Sequence, residues 1–387
     1  MARIGIAGAG LLGRLLAWRL AHLGHNVSVY DPASGPQPLF RGDWASEAQP
    51  LQAAGYTAAG MLSPLAELDN AEPAVAALGW RSIALWRAVT AALPEVTALG
   101  VTTRPYFAER GSLLLAHRPD LGAAQRVLDR LNTACASPEW QASRPAGAVQ
   151  SLNPAQLAEL EPAVHGPAHA WLLPGEGQID TVTTLLALHS DAPGVQWHWG
   201  QTVREVQSSG HLLLQAARQR LGFDWVIDTR GMGAQPHWPV RGVRGEVVWL
   251  HAPGHGLQRP LRLLHPRHRV YLVPRPGDKV LIGASEIESE DRSPVSLKSA
   301  VELMAAAHSV VPALAEARIL RLDVNLRPAL PDNDPRTEWD GACLRINGLF
   351  RHGWLLAPAL VDAALRGSEF APSGLLDKRP QPVAQPA

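Results

Sequence analysis

Four residues near the start of the sequence have types and a spacing that suit the binding of a dinucleotide. They are three glycines and an acid: Gly8, Gly10, Gly13 and Asp31. The first glycine permits a tight turn, the second lets the backbone approach a pyrophosphate, and the third lets a helix pack closely on a strand. The acid can accept hydrogen bonds from ribose hydroxyls. The pattern fits FAD and nicotinamide nucleotides alike, and its alternative is a glycine turn without a ligand.

The elements around these residues are those that such a site needs. Residues 4–7 are apolar and predict a buried strand, leucines recur at helical spacing over 11–23, and residues 27–30 predict a second strand that ends at Asp31. The helix start presents unpaired N–H groups and a partial positive charge to phosphates, so Leu11 and Leu12 are candidate cofactor contacts. The order strand, glycine turn, helix, strand, acid therefore predicts dinucleotide binding.

The composition limits the classes of function. The chain has 387 residues, enough for two lobes, with a formal net charge of zero. This balance argues against nucleic acid as the main partner. Cys135 and Cys343 stand far apart without a CxxC motif, so neither a disulfide framework nor a metal site is expected. Because residues 1–3 enter the first strand directly, no signal peptide is expected, and because Arg14 and Arg19 interrupt the only long apolar stretch nearby, no membrane span is expected. We expect a soluble cytoplasmic protein.

The rest of the chain alternates between helical and strand patterns. A long loop is expected at 32–55, a strand pair at 106–108 and 112–116, and an antiparallel sheet from residue 240 onward. Helices are expected at 75–93, 121–131, 153–160, 181–189, 297–307 and 355–365. Residues 225–233 predict a strand that runs into a second glycine turn.

Several stretches, taken in order, resemble the D-amino-acid oxidase superfamily of flavoproteins, and most closely its glycine oxidase branch linked to thiamine biosynthesis. The stretches are 58–62, 173–180, 243–246, 270–276 with 282–284, 326–332 and 348–358. The resemblance implies FAD as the cofactor. It implies an α/β fold with a Rossmann-like FAD-binding domain and a second α+β substrate domain built on an antiparallel sheet.

The domain limits that follow are discontinuous. The FAD-binding domain is expected at 1–75, 150–235 and 326–370, and the substrate domain at 76–149 and 236–325. Residues 371–387 are rich in proline and polar residues and are expected to be a frayed tail.

The resemblance also implies a substrate clamp. Arg327 matches an arginine that grips the substrate carboxylate, Tyr271 matches a tyrosine that assists it, and Arg351 matches a second arginine near the substrate and the flavin. A guanidinium fork suits a carboxylate because two parallel charge-assisted hydrogen bonds fix the carboxylate in space. The alternatives are a structural arginine before a proline-rich turn and a strand tyrosine that faces the core.

Further residues match the cofactor contacts of the family. The segment 349–355 would line the flavin ring, and a helix starting just beyond it would direct its positive end toward the pyrimidine edge. The residues implied in cofactor binding, besides those named above, are Ala58, Ala59, Gly60, Met61, Val203, Gly231, Phe350, Arg351, His352, Gly353, Trp354 and Leu355.

One position departs from the pattern of the branch. Glu286 stands where glycine oxidases carry an apolar residue against the substrate. If it points inward, it could pair with a substrate ammonium or favour a more basic side chain. If it points outward, it belongs to a solvated run with Glu288, Glu290 and Asp291, and we favour this second interpretation.

The activity implied is the FAD-dependent oxidation of glycine or another small amino acid, with molecular oxygen as the acceptor and hydrogen peroxide as a product. The imine product would hydrolyse or enter thiazole synthesis. One alternative is a D-amino-acid dehydrogenase that passes electrons to a quinone. A relative that oxidises a tRNA base and a non-catalytic dinucleotide-binding protein are further alternatives. The resemblance also suggests a homo-oligomer.

Overall fold

The fold contains two main sheets with helices packed on them. A computed structural model describes residues 1–38, 52–69, 71–98, 100–135, 147–216, 219–264 and 269–376. Its helices, in chain order, are α1 (Leu11–His22), α2 (Pro64–Glu67), α3 (Pro73–Ala92), α4 (Leu121–Cys135), α5 (Pro154–Leu160), α6 (Thr181–Ser190), α7 (Leu297–Val310) and α8 (Gly353–Arg366). Its strands are β1 (Arg3–Ala7), β2 (Asn26–Asp31), β3 (Met61–Leu62), β4 (Val96–Ala98), β5 (Val101–Thr103), β6 (Phe107–Ala108), β7 (Ser112–Ala116), β8 (Gln150–Leu152), β9 (His169–Leu173), β10 (Gly177–Ile179), β11 (Gln196–Trp199), β12 (Val203–Gln207), β13 (His211–Leu214), β14 (Arg220–Gly222), β15 (Trp225–Asp228), β16 (Arg241–His251), β17 (Leu261–Leu264), β18 (Arg269–Arg275), β19 (Lys279–Gly283), β20 (Arg318–Ala329), β21 (Arg336–Asp340) and β22 (Cys343–Asn347).

The first sheet carries the glycine turn. Its order is β11-β2-β1-β15-β22-β21, with the first five strands parallel and β21 antiparallel at the edge. The helix α1 packs on one face of it and the small antiparallel sheet β12–β14 on the other, so the central strands are buried on both sides. In such sheets ligands bind beyond the carboxyl ends of the strands, where Gly8 follows β1. This sheet is the expected Rossmann-like unit.

The second sheet is the expected antiparallel one. Its order is β20-β16-β19-β18-β17-β7-β9-β8, and every neighbouring pair is antiparallel except β17 with β7. Leucines, valines and isoleucines alternate along these strands and form a separate core with α7. Helix α5 begins as expected, because Asn153 and Gln156 form a capping box before and within its first turn.

A small third sheet lies where the two larger ones meet. Strand β10 pairs with β3 on one side and with β6 on the other. The expected strand pair at 106–108 and 112–116 is therefore wrong, because β6 belongs to this small sheet and β7 to the second sheet. The chain turns between them at Gly111, which has a positive φ of 74° and donates its N–H to the Glu176 carbonyl.

The strand pairing bears on the domain limits, which otherwise stay a prediction. Residues 150–173, grouped by sequence with the FAD-binding domain, contribute β8 and β9 to the second sheet. At the other end, Leu375 is buried and its N–H donates to Asp362 at 2.7 Å, so the chain is anchored as far as this residue. The remainder of the expected frayed tail, 377–387, lies outside the described residues, as does the part 39–51 of the long loop.

The described part of the chain contains no candidate for a membrane-spanning helix. None of its helices combines the length and the apolarity that crossing a bilayer requires.

Candidate active site

The glycine turn has the geometry that its sequence predicts. Gly8 has a positive φ of 98°, and a Cβ there would lie 2.7 Å from the Thr229 carbonyl oxygen. A Cβ on Gly13 would overlap the Gly8 carbonyl oxygen, which is why helix and strand can approach only with a glycine there. Gly10 precedes α1, whose N-terminus has no side-chain cap, so its first N–H groups remain available to an anion.

Asp31 is positioned at the end of β2 by the same turn. One carboxylate oxygen accepts from the Ala9 N–H at 2.6 Å, and the other accepts from the Ala33 N–H at 2.8 Å. Each oxygen keeps further lone pairs, and Asp31 borders the cavity described next. The acid is therefore fixed where it can also meet a ribose.

A cavity of about 1220 Å³ runs from the glycine turn to the second sheet. This volume exceeds the ordinary range of small-ligand pockets and suits a dinucleotide together with a small substrate. Gly13 lies beneath the turn and outside the cavity wall, consistent with a packing role. The other residues selected from the sequence all line the cavity: Gly8, Gly10, Leu11, Leu12, Asp31, Ala58, Ala59, Gly60, Met61, Val203, Gly231, Tyr271, Arg327, Phe350, Arg351, His352, Gly353, Trp354 and Leu355.

The wall segment 58–61 is held by a buried cation. The guanidinium of Arg275 donates to the carbonyls of Ala59 and Ile179 and to the side chain of Gln178. Burial lowers the pKa of Arg275. A Cβ on Gly60 would overlap the Ile179 carbonyl oxygen, so the small residues here allow the segment to lie directly against β10. The wall that a flat ligand would meet is thus rigid.

Arg327 on β20 and Tyr271 on β18 extend over glycines of neighbouring strands. A Cβ on Gly245 would come within 2.5 Å of the Arg327 guanidinium carbon, and one on Gly283 within 2.5 Å of the Tyr271 hydroxyl. The guanidinium donates to the carbonyls of Ser285 at 3.1 Å and Arg244 at 3.3 Å. Burial raises the pKa of Tyr271, and the positive charge of Arg327 opposes that shift.

No carboxylate among the described residues lies within salt-bridge distance of Arg327. The two carbonyls are neutral acceptors, so the charge of this half-buried guanidinium is left for an anion in the cavity. This is the arrangement that a carboxylate ligand requires.

Arg351 has different surroundings. It forms ion pairs with Glu67 at 3.3 Å and with Glu286 at 3.6 Å. Glu67 also pairs with Arg262 at 2.9 Å and faces the imidazole of His352 at 3.3 Å. Burial alone would raise the pKa of Glu67, but these cations outweigh it and lower the pKa to about 2.

The structure gives Glu286 features of both interpretations considered from the sequence. It lines the cavity and pairs with Arg351, although its side chain is 49% exposed. The rest of the acidic run is also engaged: Glu288 pairs with Arg241, Glu290 accepts from the Gly242 N–H, and Asp291 pairs with Arg244. The side chains of Glu288 and Asp291 remain more than half exposed, as expected of a solvated run, while their partners on β16 hold the run in place.

The segment that ends in α8 closes one side of the cavity. Phe350 has a positive φ of 47°, and α8 begins at Gly353, two residues earlier than expected. Trp354 donates its indole N–H to the Gly55 carbonyl at 3.0 Å, which ties the start of α8 to the other wall. The positive end of the helix is thus directed at the cavity.

The adenine end of the expected cofactor site lies near β12. Arg230 forms two hydrogen bonds to the carboxylate of Asp228, at 2.9 and 2.7 Å, and a third to the Val203 carbonyl at 3.0 Å. Gly231 follows with a positive φ of 57°, and its carbonyl accepts from the Asn347 amide at 3.0 Å. Val203 is therefore held by Arg230, which follows β15, and Gly231 is held by Asn347 at the end of β22.

Sequence reasoning missed Glu67 and Arg262. Each interrupts an apolar run of the sequence. Glu67 follows Pro64-Leu65-Ala66, and Arg262 stands between two leucines of β17. A single charged residue inside an apolar run is the signal that could have found them, because burial of such a charge requires a partner. This sequence pattern does not identify the residue with which the buried charge pairs.

Comparison with known proteins gives the same picture. The model of the FAD dependent oxidoreductase family (DAO) matches residues 3–362, nearly the whole chain. The chain is 33% identical over 366 residues to a Rhizobium etli protein named as a thiamine biosynthesis oxidoreductase, ThiO, with 94% of this chain and 95% of the relative covered.

Glycine oxidase of Geobacillus kaustophilus is another relative. The sequences are 26% identical over 373 residues, covering 92% of this chain and 89% of the relative. The crystal structure of that glycine oxidase matches with a TM-score of 0.74 at 24% identity, over 98% of this chain and 100% of the other. These likenesses extend over both sheets and the cavity between them.

Proposed function

The chain belongs to the FAD dependent oxidoreductase family and to its glycine oxidase branch, and we propose that it oxidises glycine or a similarly small amine with molecular oxygen as the acceptor. Members of this group are FAD-dependent and act on amino groups. The observation that carries the choice of substrate is the Arg327 guanidinium, which lies in the cavity with Tyr271 and has no carboxylate partner among the described residues. A small α-amino acid would bring the one carboxylate that could pair with Arg327.

The residues present fit FAD. The glycine turn and the uncapped start of α1 would hold the pyrophosphate, Asp31 the ribose, and the rigid segment 58–61 with 350–355 the flavin ring. The start of α8 would favour negative charge near the ring, whereas Arg351, whose charge is shared with Glu67 and Glu286, would add little to it. FAD bound there would supply the two-electron acceptor, and molecular oxygen would take up the two electrons with two protons to become hydrogen peroxide.

The protein contributes orientation. Arg327 would bind the substrate carboxylate through two parallel hydrogen bonds, and the Tyr271 hydroxyl would add a third contact. With the carboxylate fixed, the Cα–H would face one direction, and the hydride that leaves as the nitrogen lone pair forms the C=N bond would be taken up by the two-electron acceptor. The amine enters without its extra proton, which it loses to solvent. The imine then hydrolyses, or it enters thiazole synthesis as the name of the ThiO relative suggests.

The test is an anaerobic titration of the purified, FAD-loaded protein with glycine and sarcosine, followed by flavin absorbance. We expect bleaching by one or both. Arg327→Lys should lower kcat/KM by roughly a hundredfold, because a single ammonium cannot hold a carboxylate in the fork geometry. Arg318→Lys, at the exposed start of the same strand, is the matched control and should leave kcat/KM unchanged.

Two results would contradict the proposal. One is a yellow protein that neither substrate bleaches, and the other is full activity in Arg327→Lys. The acceptor is tested separately, by counting hydrogen peroxide formed per glycine consumed in air. A ratio near one supports oxygen, whereas slow peroxide formation with rapid reduction of a quinone dye supports the dehydrogenase alternative.

A further inference from the structure

The arginines that line the cavity differ in how far their charge is already satisfied. Arg327 has no carboxylate of the described residues within salt-bridge distance, whereas Arg351 is bound between Glu67 and Glu286. Arg262 is paired with Glu67 at 2.9 Å. Among the described residues, the Arg327 guanidinium therefore lacks a carboxylate partner, while the Arg351 guanidinium has two.

Two further arginines that line the cavity in the described part of the chain are also opposed by acids. Arg230 is bound by Asp228 through two hydrogen bonds. Burial lowers the pKa of Arg292, and the carboxylate of Glu290 opposes that shift. Glu290 itself is fixed by the N–H of Gly242 at 2.8 Å.

We propose that Glu286 determines substrate charge: by pairing with Arg351 it makes the cavity reject amines and acids that carry a second carboxylate. Such a ligand could place one carboxylate on Arg327, but its second would meet Glu286 and Glu67 where a free cation is needed. Juxtaposed like charges oppose binding strongly, and this is a common source of specificity. The inference rests on the proposed function, since it specifies the substrate class of the same site.

The experiment compares two unreactive ligands, acetate with one carboxylate and malonate with two. Their dissociation constants are measured by isothermal titration calorimetry on the FAD-loaded protein. We expect acetate to bind more tightly than malonate to the unmodified chain. In Glu286→Gln the ratio should shift toward malonate by about tenfold, because Arg351 then has a free side for the second carboxylate.

Matched variants separate the local effect from a general change of charge. Glu288→Gln removes the same charge two residues further on, where the side chain pairs with Arg241, and should leave the ratio unchanged. Glu286→Asp keeps the charge and should keep the preference for acetate. Iminodiacetate, which is glycine with a second carboxymethyl group on nitrogen, should be turned over by Glu286→Gln at least tenfold better relative to glycine than by the unmodified chain.

The following results would contradict either the inference about Glu286 or the proposed function. Tighter binding of malonate than of acetate by the unmodified chain would overturn the inference, even if Glu286→Gln failed to fold. If Glu288→Gln shifted the ratio of the two dissociation constants as much as Glu286→Gln, the inference would also be overturned, because the shift would then reflect the overall surface charge and not the pairing of Glu286 with Arg351. Failure of glycine to reduce the flavin would contradict the proposed function alone, since the ratio of the two dissociation constants does not depend on turnover.

Discussion

Arg14 shows how much one buried side chain can fix around a ligand site. It lies on α1 just after the third glycine, is 1% exposed, and does not line the cavity. Its guanidinium donates to the carbonyls of Ala9 at 2.8 Å, Leu185 at 2.9 Å and Pro36 at 3.0 Å. One cation therefore joins the glycine turn, α6 and the segment that follows Asp31.

Burial lowers the pKa of Arg14, because its positive charge has little access to solvent. The rings of Tyr56 and Trp199 flank it, each with its centroid 5.4 Å from the guanidinium carbon. A pyrophosphate bound at the glycine turn would supply a nearby negative charge. We infer that Arg14 positions the glycine turn at which the cofactor would bind.

We expect Arg14→Gln to weaken FAD binding by at least roughly tenfold, since hydrogen bonds from charged groups contribute about 1.5–3 kcal/mol each. The measurement is the dissociation constant of FAD by quenching of flavin fluorescence. Arg19→Gln is the control: Arg19 is equally buried on the same helix but donates to the Gly374 carbonyl. Loss of FAD affinity to the same extent in both variants would show that the effect is only one of helix stability.

At the scale of elements, glycines set how closely strands approach. The segment 58–61 lies against β10 because Gly60 has a positive φ of 62° and no Cβ. The overlap would be with a backbone carbonyl, which cannot move away without disturbing β10. The element that forms the cavity wall thus depends on a missing side chain.

Gly60→Ala should shift the wall into the cavity. We expect lower FAD occupancy after purification and a destabilisation of about 1–3 kcal/mol, from the positive φ together with the overlap. Gly35→Ala is the control, because a Cβ there would meet none of the described residues within 4 Å. Chemical denaturation and the ratio of flavin to protein absorbance measure the two effects, and equal behaviour of the two variants would refute the argument.

At the scale of the whole molecule, Glu67 connects the lobes. It extends from α2 to Arg262 on the second sheet and to Arg351 and His352 at the start of α8. Breaking a buried pair by removing one partner leaves an uncompensated charge, so this carboxylate contributes to the joining of the two sheets.

The stability of the fold should depend on the ionisation of Glu67 in acid. Its pKa falls from an ordinary value of 4.5 in the unfolded chain to about 2 in the folded protein. A lowered folded pKa means that the stabilisation is present above pH 4.5 and is lost as the pH falls toward 2. The difference corresponds to about 3 kcal/mol.

Urea unfolding at pH 6 and pH 3 measures this contribution. Glu67→Gln should be less stable than the unmodified chain at pH 6 and should lose less stability on acidification. Glu109→Gln, which removes an exposed pair with Arg87, should retain the full pH dependence. An unchanged pH dependence in Glu67→Gln would contradict the role assigned to this group.

The sequence by itself determined the local features. The glycine turn, the buried strand before it and the helix after it follow from short-range rules of chain geometry and hydrophobic spacing, and the resemblance extended them to the two-sheet fold. Only the tertiary structure decided which distant charges meet. Glu67, Arg262, Glu286 and Arg351 are far apart along the chain, and their pairing depends on how the two sheets are placed. The separation of β6 from β7 has the same cause, because each strand pairs with whichever partner packing brings alongside it, and no local pattern encodes that choice.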